Sequence, residues 1–359
     1  MAQVVRDPRD GRWLARWRDP SGRQRKKSFK RKVDAQRWLD QLTAEMHRGQ
    51  YFDPARAKTL IGSFAQQWAA GLAHLKPSTV TRYRSVVRVH VVPYWGAWQL
   101  GSVTQSDVSA WIASLVSCGL QPGSVRQIHR VFSLILDAAV ADGRIPRNPS
   151  ARVKLPRQVR GEPRFLSSRE VLSLAQAAGK GELVVLTLAL TGLRFGELAA
   201  LRTRRFDARR RRLTVSESVT EVGGRLVWST PKTHQSRTVP LPPSLARRID
   251  EAVAAKGSDD FIFASPDGGP LRIGNWRKRV FDPACAAVGL KDLSPHDLRH
   301  TAASLAIASG ANVKAVQRML GHASAAMTLD VYAGLFADDL DSVAQGLDAI
   351  LGERTSDHD

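Results

Sequence analysis

The segment PRNPSARVKLPRQVRGEP, residues 146–163, divides this chain. Pro146, Pro149, Pro156 and Pro163 each remove a backbone donor and fix φ, so neither a helix nor a central strand can run through it. The basic residues between them keep the segment extended and solvated. The chain therefore cannot fold around one continuous core, and its 359 residues already exceed the size at which single cores stop growing. Two or three domains are expected.

The parts differ in charge. The whole chain carries 54 Lys and Arg against 33 Asp and Glu, a formal +21. Residues 1–50 contribute +8, residues 51–159 contribute +9, and residues 160–359 only +4. Such an excess calls for a polyanionic partner, with nucleic acid the first candidate, held mainly by the first 159 residues. Cys118 and Cys285 have no partner spacing, so neither a disulfide framework nor a cysteine zinc site is indicated, and a reducing cytoplasm fits. The first residues lack the apolar run of a signal peptide and no stretch of about 18 apolar residues occurs, so no membrane partner is expected.

Within residues 1–50, Trp13, Ala15 and Trp17 alternate with Arg12, Arg16 and Arg18, and a Pro-Ser-Gly turn leads into Arg25, Lys26 and Lys27. This predicts a basic strand pair, followed by a helix from Lys32 to His47. The strand basic residues are candidate DNA contacts, weighed against a merely solvated sheet face. Residues 58–147 read as four or five helices. The helix PSTVTRYRSVVRVHVVPYW offers Arg82, Arg84 and Arg88 to DNA. Residues 148–163 are assigned as linker and 164–352 as a second large domain. There, a buried helix ELVVLTLALTG precedes a stretch, 211–241, whose β-branched runs predict a three-stranded antiparallel sheet, and helices resume from Pro243. The fold class expected is mainly α with small β-sheets: a β-ribbon plus helix, a helical domain, and an α+β domain.

Four segments of the last domain can carry chemistry. TGLRFGEL ends an apolar helix at Gly192 and presents Arg194, with Glu197 three residues on; alone it reads as a surface ion pair of about 0.5 kcal/mol or less. STPKTHQSRTVPLP places Lys232 at a turn. LSPHDLRHTAASLAIASG puts His296, Arg299 and His300 on one helical face, opposite Leu298, Ala302, Leu305 and Ala306. LGHASAAMTLDVYAG exposes His322 after Gly321 and reaches Tyr332. His296 and His300 have the spacing of a helical zinc pair, with His322 as a third ligand. Against this, Asp297 stands where hydrolytic zinc motifs carry Glu, and Arg299 would set a positive charge beside the metal.

Taken in order, Arg194, Lys232, His296, Arg299, His322 and Tyr332 resemble the catalytic set of the tyrosine recombinases, or phage integrases, and every position of that set is filled. The resemblance extends over nearly the whole chain and implies a basic arm-type DNA-binding domain, a helical core-binding (SAM-like) domain and a catalytic domain. It implies site-specific cutting and rejoining of DNA without cofactor or metal. Arg194 and Arg299 would clamp the scissile phosphate, Tyr332 would attack it, His296 would act as base, and His322 would donate a hydrogen bond. Lys232 would protonate the leaving 5′ oxygen, while Glu197 and His300 would orient their neighbours. It further implies a homo-tetramer on double-stranded DNA carrying specific recombination sites, and host DNA-bending or directionality proteins as partners. A C-terminal amphipathic helix with Leu340, Val343, Leu347 and Ile350 would dock on a neighbouring subunit or on its own. The alternatives are a type IB topoisomerase, which would not need paired sites, and a catalytically silent DNA-binding regulator.

Overall fold

A computed structural model describes residues 2–19, 22–47, 55–158, 164–230, 236–336 and 347–348. The chain forms two units, Met1–Arg160 and Gly161–Asp359, and the break falls inside the proline-rich segment.

The first unit opens with the strands β1 (Gln3–Arg6), β2 (Trp13–Arg18) and β3 (Gln24–Phe29), an antiparallel sheet with β2 at its centre. Alternation sends Ala15 and Trp17 toward helix α1 (Lys32–His47), where they meet Ala35, Leu39 and Leu42. Trp17 and Trp38 pack edge to face at 5.0 Å. A second core is all-helical, built from α2 (Ile61–Ala70), α3 (Pro77–Val86), α4 (Val92–Trp95), α5 (Gln105–Ser117) and α6 (Pro122–Ala141). Its centre is an aromatic cluster in which Trp95 stacks on Phe132 at 5.0 Å and meets Trp111 edge-on at 5.6 Å. The single long helix expected from Pro77 onward carries a wide turn at Val87–Val91, just ahead of Pro93. A proline cannot donate to the preceding turn and its ring crowds the carbonyl there, and the wider turn accommodates both.

The start of the expected linker is docked on this unit. Asn148 Nδ2 donates to the Ser133 carbonyl at 3.1 Å and to Asp137 Oδ1 at 2.7 Å, and its Oδ1 accepts from the Ser150 N–H at 2.8 Å. His129 Nε2 pairs with the Ser150 carbonyl at 3.1 Å, and Arg126 Nη1 donates to the Pro156 carbonyl at 3.0 Å. Prolines remove donors from this stretch, but its carbonyls remain, and side chains of α6 supply their partners. The segment thus runs antiparallel to α6 as a strap.

In the second unit α7 (Ser168–Ala177) starts with a reciprocal cap between Ser167 and Glu170 and packs on α8 (Glu182–Thr191), which is buried on nearly all sides. After α9 (Phe195–Ala199) come the strands β4 (Phe206–Asp207), β5 (Arg212–Val215), β6 (Ser218–Val222), β7 (Arg225–Ser229) and β8 (Arg237–Pro240). They do not form the one sheet expected from 211–241. β5 pairs with β4 and β8, whereas β6 and β7 close on each other as a separate hairpin. Gly223 and Gly224, both at positive φ (57° and 79°), give the tight turn whose twist suits a two-residue hairpin. Leu213, Val215 and Val239 share the buried face of the other sheet, which is why β5 selects β8 over its sequence neighbour. The helices α10 (Pro243–Val253), α11 (Ile273–Trp276), α12 (Asp282–Ala287), α13 (Asp297–Ala308), α14 (Val313–Leu320) and α15 (Ala325–Tyr332) complete the unit. No helix among the described residues is long and apolar enough to cross a membrane.

Candidate active site

Two glycines in the left-handed conformation shape the site. α8 ends at Gly192 (φ 64°), and a Cβ there would lie 2.5 Å from Leu320 Cδ2, so the ends of α8 and α14 meet closely only because the side chain is absent. α14 ends at Gly321 (φ 67°), where a Cβ would lie 2.8 Å from Arg237 Cδ. Each glycine turns the chain so that a candidate site residue follows: Arg194 after the first and His322 after the second.

Arg299, from the first turn of α13, fills the space between these helix ends. Its Nη1 donates to the Gly192 carbonyl and its Nη2 to the Leu320 carbonyl at 2.7 Å. Cations suit the carbonyl-rich end of a helix, and this guanidinium serves two at once. It is 3% exposed, and among the described residues no carboxylate pairs with it. Burial, with the Arg194 guanidinium nearby, pushes its pKa down to about 9, so it remains charged at neutral pH.

Glu197 is the carboxylate of the site. Arg194 donates to it from its backbone N–H and from Nη1, both at 2.9 Å. Arg237, at the start of β8, donates from Nη1 at 3.0 Å and from Nη2 at 2.6 Å, and its Nε reaches the Met319 carbonyl at 3.2 Å. Glu197 is 1% exposed, so the pair with Arg194 is a buried network and not the surface contact its spacing alone suggested. Burial acts to raise the Glu197 carboxyl, but the hydrogen bonds and charge of Arg237, then those of Arg194, outweigh it and hold the pKa below the ordinary range. Two guanidiniums thus hold one carboxylate, while the third, of Arg299, is held by carbonyls.

His322 is held by its backbone, with its N–H on the Gln317 carbonyl and its own carbonyl accepting from Gln317 Nε2, each at 3.1 Å. Its Nδ1 lies 3.0 Å from the hydroxyl of buried Thr328. Burial, then Arg299 and Arg194, lower its pKa to about 4, leaving a neutral imidazole at pH 7. Tyr332 closes α15 and is 2% exposed, its ring among Ala303, Ile307, Val316 and Leu320. Its hydroxyl lies 2.8 Å from His300 Nδ1. Burial raises the tyrosine pKa, with Arg299 opposing. His296 is exposed, one turn before His300, and the two rings meet edge-on at 5.1 Å.

The second unit therefore brings together Arg194, Glu197, His296, Arg299, His300, His322 and Tyr332. Lys232 lies outside the described residues, as does the C-terminal helix apart from residues 347–348. Sequence reasoning missed Arg237. No local spacing marks it, because it stands 40 residues from Glu197 and only the β5–β8 pairing carries it back.

The basic residues of the first unit divide by face. Arg16 pairs with Lys26 and Arg18 with Gln24 across β2 and β3, and these side chains point away from α1. Arg25 and Lys27 stand on the α1 side, where Arg25 Nε meets Asp19 Oδ2 at 3.0 Å and Lys27 Nζ lies 4.6 Å from the Trp38 ring. Arg12 precedes β2 and pairs loosely with Asp10 at 3.8 Å. Arg82, Arg84 and Arg88 are exposed, and Arg84 Nε also reaches the Ala69 carbonyl at 3.3 Å.

Buried Arg299, the Glu197 carboxylate held by Arg194 and Arg237, and a tyrosine hydroxyl beside His300 thus lie among the helix ends of this unit. Residues 164–338 match the phage integrase family model. The chain is similar to the integrase of Mycobacterium phage D29, 28% identical over 345 residues with 90% of this chain and 91% of that protein covered. Its fold is similar to the Tn1549 transposon integrase in complex with a circular intermediate DNA (TM-score 0.69, 20% identity, 76% of this chain and 95% of that one). It is also similar to a lambda integrase tetramer bound to a Holliday junction (TM-score 0.60, 20% identity, 89% of this chain and 95% of that one). Residues 164–338 thus form a phage integrase family domain, and the chain is a site-specific DNA recombinase of the tyrosine type.

Proposed function

We propose that this recombinase cuts and rejoins DNA through a 3′-phosphotyrosyl bond on Tyr332. The observation that carries the reading is the imbalance of charge at the site: Arg194 and Arg237 share a single carboxylate, Glu197, buried Arg299 has only carbonyls for partners, and Arg299 acts on the buried Tyr332 hydroxyl. A scissile phosphate supplies the missing anion. Arg194 and Arg299 hold its non-bridging oxygens, for which planar guanidiniums are well matched. Neutral His322 donates a further hydrogen bond to the charge that develops as Tyr332 attacks. Lys232 protonates the departing 5′ oxygen. The phosphotyrosyl bond keeps the energy of the broken phosphodiester, so a 5′ hydroxyl of a second duplex reverses the step and joins strands.

One subunit carries one tyrosine nucleophile, so exchange of two duplexes takes four subunits, which fits the tetramer of the lambda relative. The basic face of the N-terminal sheet and the helices with Arg82, Arg84 and Arg88 hold the duplex, and the protein works in the cytoplasm where its DNA lies. Host DNA-bending or directionality proteins would act on the arm. Wild type and Tyr332→Phe incubated with fragmented, nicked DNA in EDTA and denatured in SDS test the reading. DNA stays attached to wild type alone, and its sequence gives the target. Attachment to neither protein would favour a DNA-binding regulator, and attachment to both would remove Tyr332 from the chemistry.

A further inference from the structure

The proposed chemistry leaves the proton of Tyr332 to be placed. Resemblance assigns its removal to His296, yet among the described residues the hydroxyl meets His300, at 2.8 Å from Nδ1. His296 lies beyond, its ring 5.1 Å from that of His300. We propose that His300 is the proton acceptor for Tyr332, a catalytic residue in direct contact with the reacting oxygen, with His296 one ring further out. This rests on the reading of Tyr332 as the nucleophile.

The contact is held from both sides. His300 sits in the second turn of α13, behind buried Arg299. Tyr332 is fixed by the apolar side chains around its ring and by Phe165, 6.2 Å away between centroids. The hydroxyl is therefore directed at α13. To accept from it, Nδ1 must be the bare nitrogen, which places the imidazole proton on Nε2. The imidazole must also be neutral, and burial, with Arg299 adding and Asp297 opposing, holds its pKa below the ordinary histidine value. The other titratable groups about it are His296 on its own helix, Tyr332 on α15 and His322 after α14. Among α8 residues only Glu182 is ionisable, and it pairs with Arg248 at 2.9 Å. Lys314 and Arg318 of α14 are exposed.

In the step itself, the Oη–H pair of electrons stays on oxygen as Oη bonds to phosphorus, and the proton passes to His300 Nδ1. The P–O5′ bond breaks with its electrons on the 5′ oxygen, which takes a proton from Lys232. On rejoining, the proton returns from His300 to Tyr332. The bound phosphodiester brings a negative charge beside Arg299, which offsets the part of the lowering that Arg299 adds to burial at His300. The base thus gains strength when substrate arrives.

Single-turnover cleavage of a nicked duplex by the full chain tests this, comparing wild type, His300→Asn and His296→Asn. Asparagine offers an oxygen near the place of Nδ1 and so can still orient the tyrosine, but it cannot carry the proton. The expected result is unchanged DNA binding in a band shift for His300→Asn, covalent complex formation slowed by about 100-fold or more, and loss of the fall in rate on the acid side of the wild-type pH profile. His296→Asn should keep that acid-side fall. A His300→Asn rate close to wild type, or one that keeps the fall, overturns the proposal. If His300→Asn does not bind DNA, His300→Gln is measured and read by the same criteria. Absence of covalent complex in wild type is a different failure, that of the Tyr332 reading itself.

Discussion

Arg237 meets Glu197 through both terminal nitrogens and the end of α14 through its third, so one side chain joins β8, α9 and the helix that presents His322. Removing it leaves a carboxylate 1% exposed with Arg194 as its remaining cation. Breaking such a buried pair costs about 3–5 kcal/mol. Arg237→Met should therefore lower the melting temperature and weaken cleavage together, and Arg237→Lys, a point charge without the fork, should restore only part of each. Glu197 is depressed below its ordinary value of 4.5, so the stability it brings is present above that value and is lost as pH falls through the folded pKa. In Arg237→Met the folded value rises, and less stability remains to lose in acid. Thermal melts of both proteins between pH 7 and pH 3 check this; parallel curves would mean that Arg237 does not govern Glu197.

At the scale of elements, the strap along α6 makes a specific expectation. Asn148 contributes a donor to two α6 groups and an acceptor to Ser150, so Asn148→Ala should free the segment that contains Arg147, Arg152 and Arg157. Limited trypsin digestion should cut there faster in the variant than in wild type, with the helices of both units cut at unchanged rates; equal rates would show that the prolines alone hold the strap. The sequence signalled the elements better than their pairing. Gly192 and Gly321 stop helices in ways that apolar periodicity makes readable, and His296, Arg299 and His300 fall on one face by spacing alone. The choice of β8 by β5, the wide turn before Pro93 and the Arg237–Glu197 contact are less legible. Each depends on which buried face or helix end lies opposite, and partners far apart in the chain leave no periodic mark. Spacing likewise puts His296 and His300 on one face alike, and only the packing of α15 shows that His300 is the one that meets the Tyr332 hydroxyl.

For the whole molecule, the uneven charge becomes a matter of faces. Arg16, Arg18 and Lys26 project from the side of the N-terminal sheet away from α1, while Arg25 and Lys27 are engaged by Asp19 and Trp38 on the other. Replacing the first three by Gln should reduce the slope of log affinity against log salt by up to about 0.9 for each phosphate that is no longer neutralised. Replacing Arg25 and Lys27 should instead loosen the packing of sheet and helix with a smaller change in slope. Binding titrations across a range of salt concentrations separate the two sets, and equal slopes for both would mean that the face assignment does not set DNA binding. Chimeric recombinases cut from this chain inherit a constraint from the strap. Joining these helices to a foreign second half at the end of α6 would strip His129 and Arg126 of the carbonyls they serve, whereas a junction placed after residue 158 transfers the strap with its own helix.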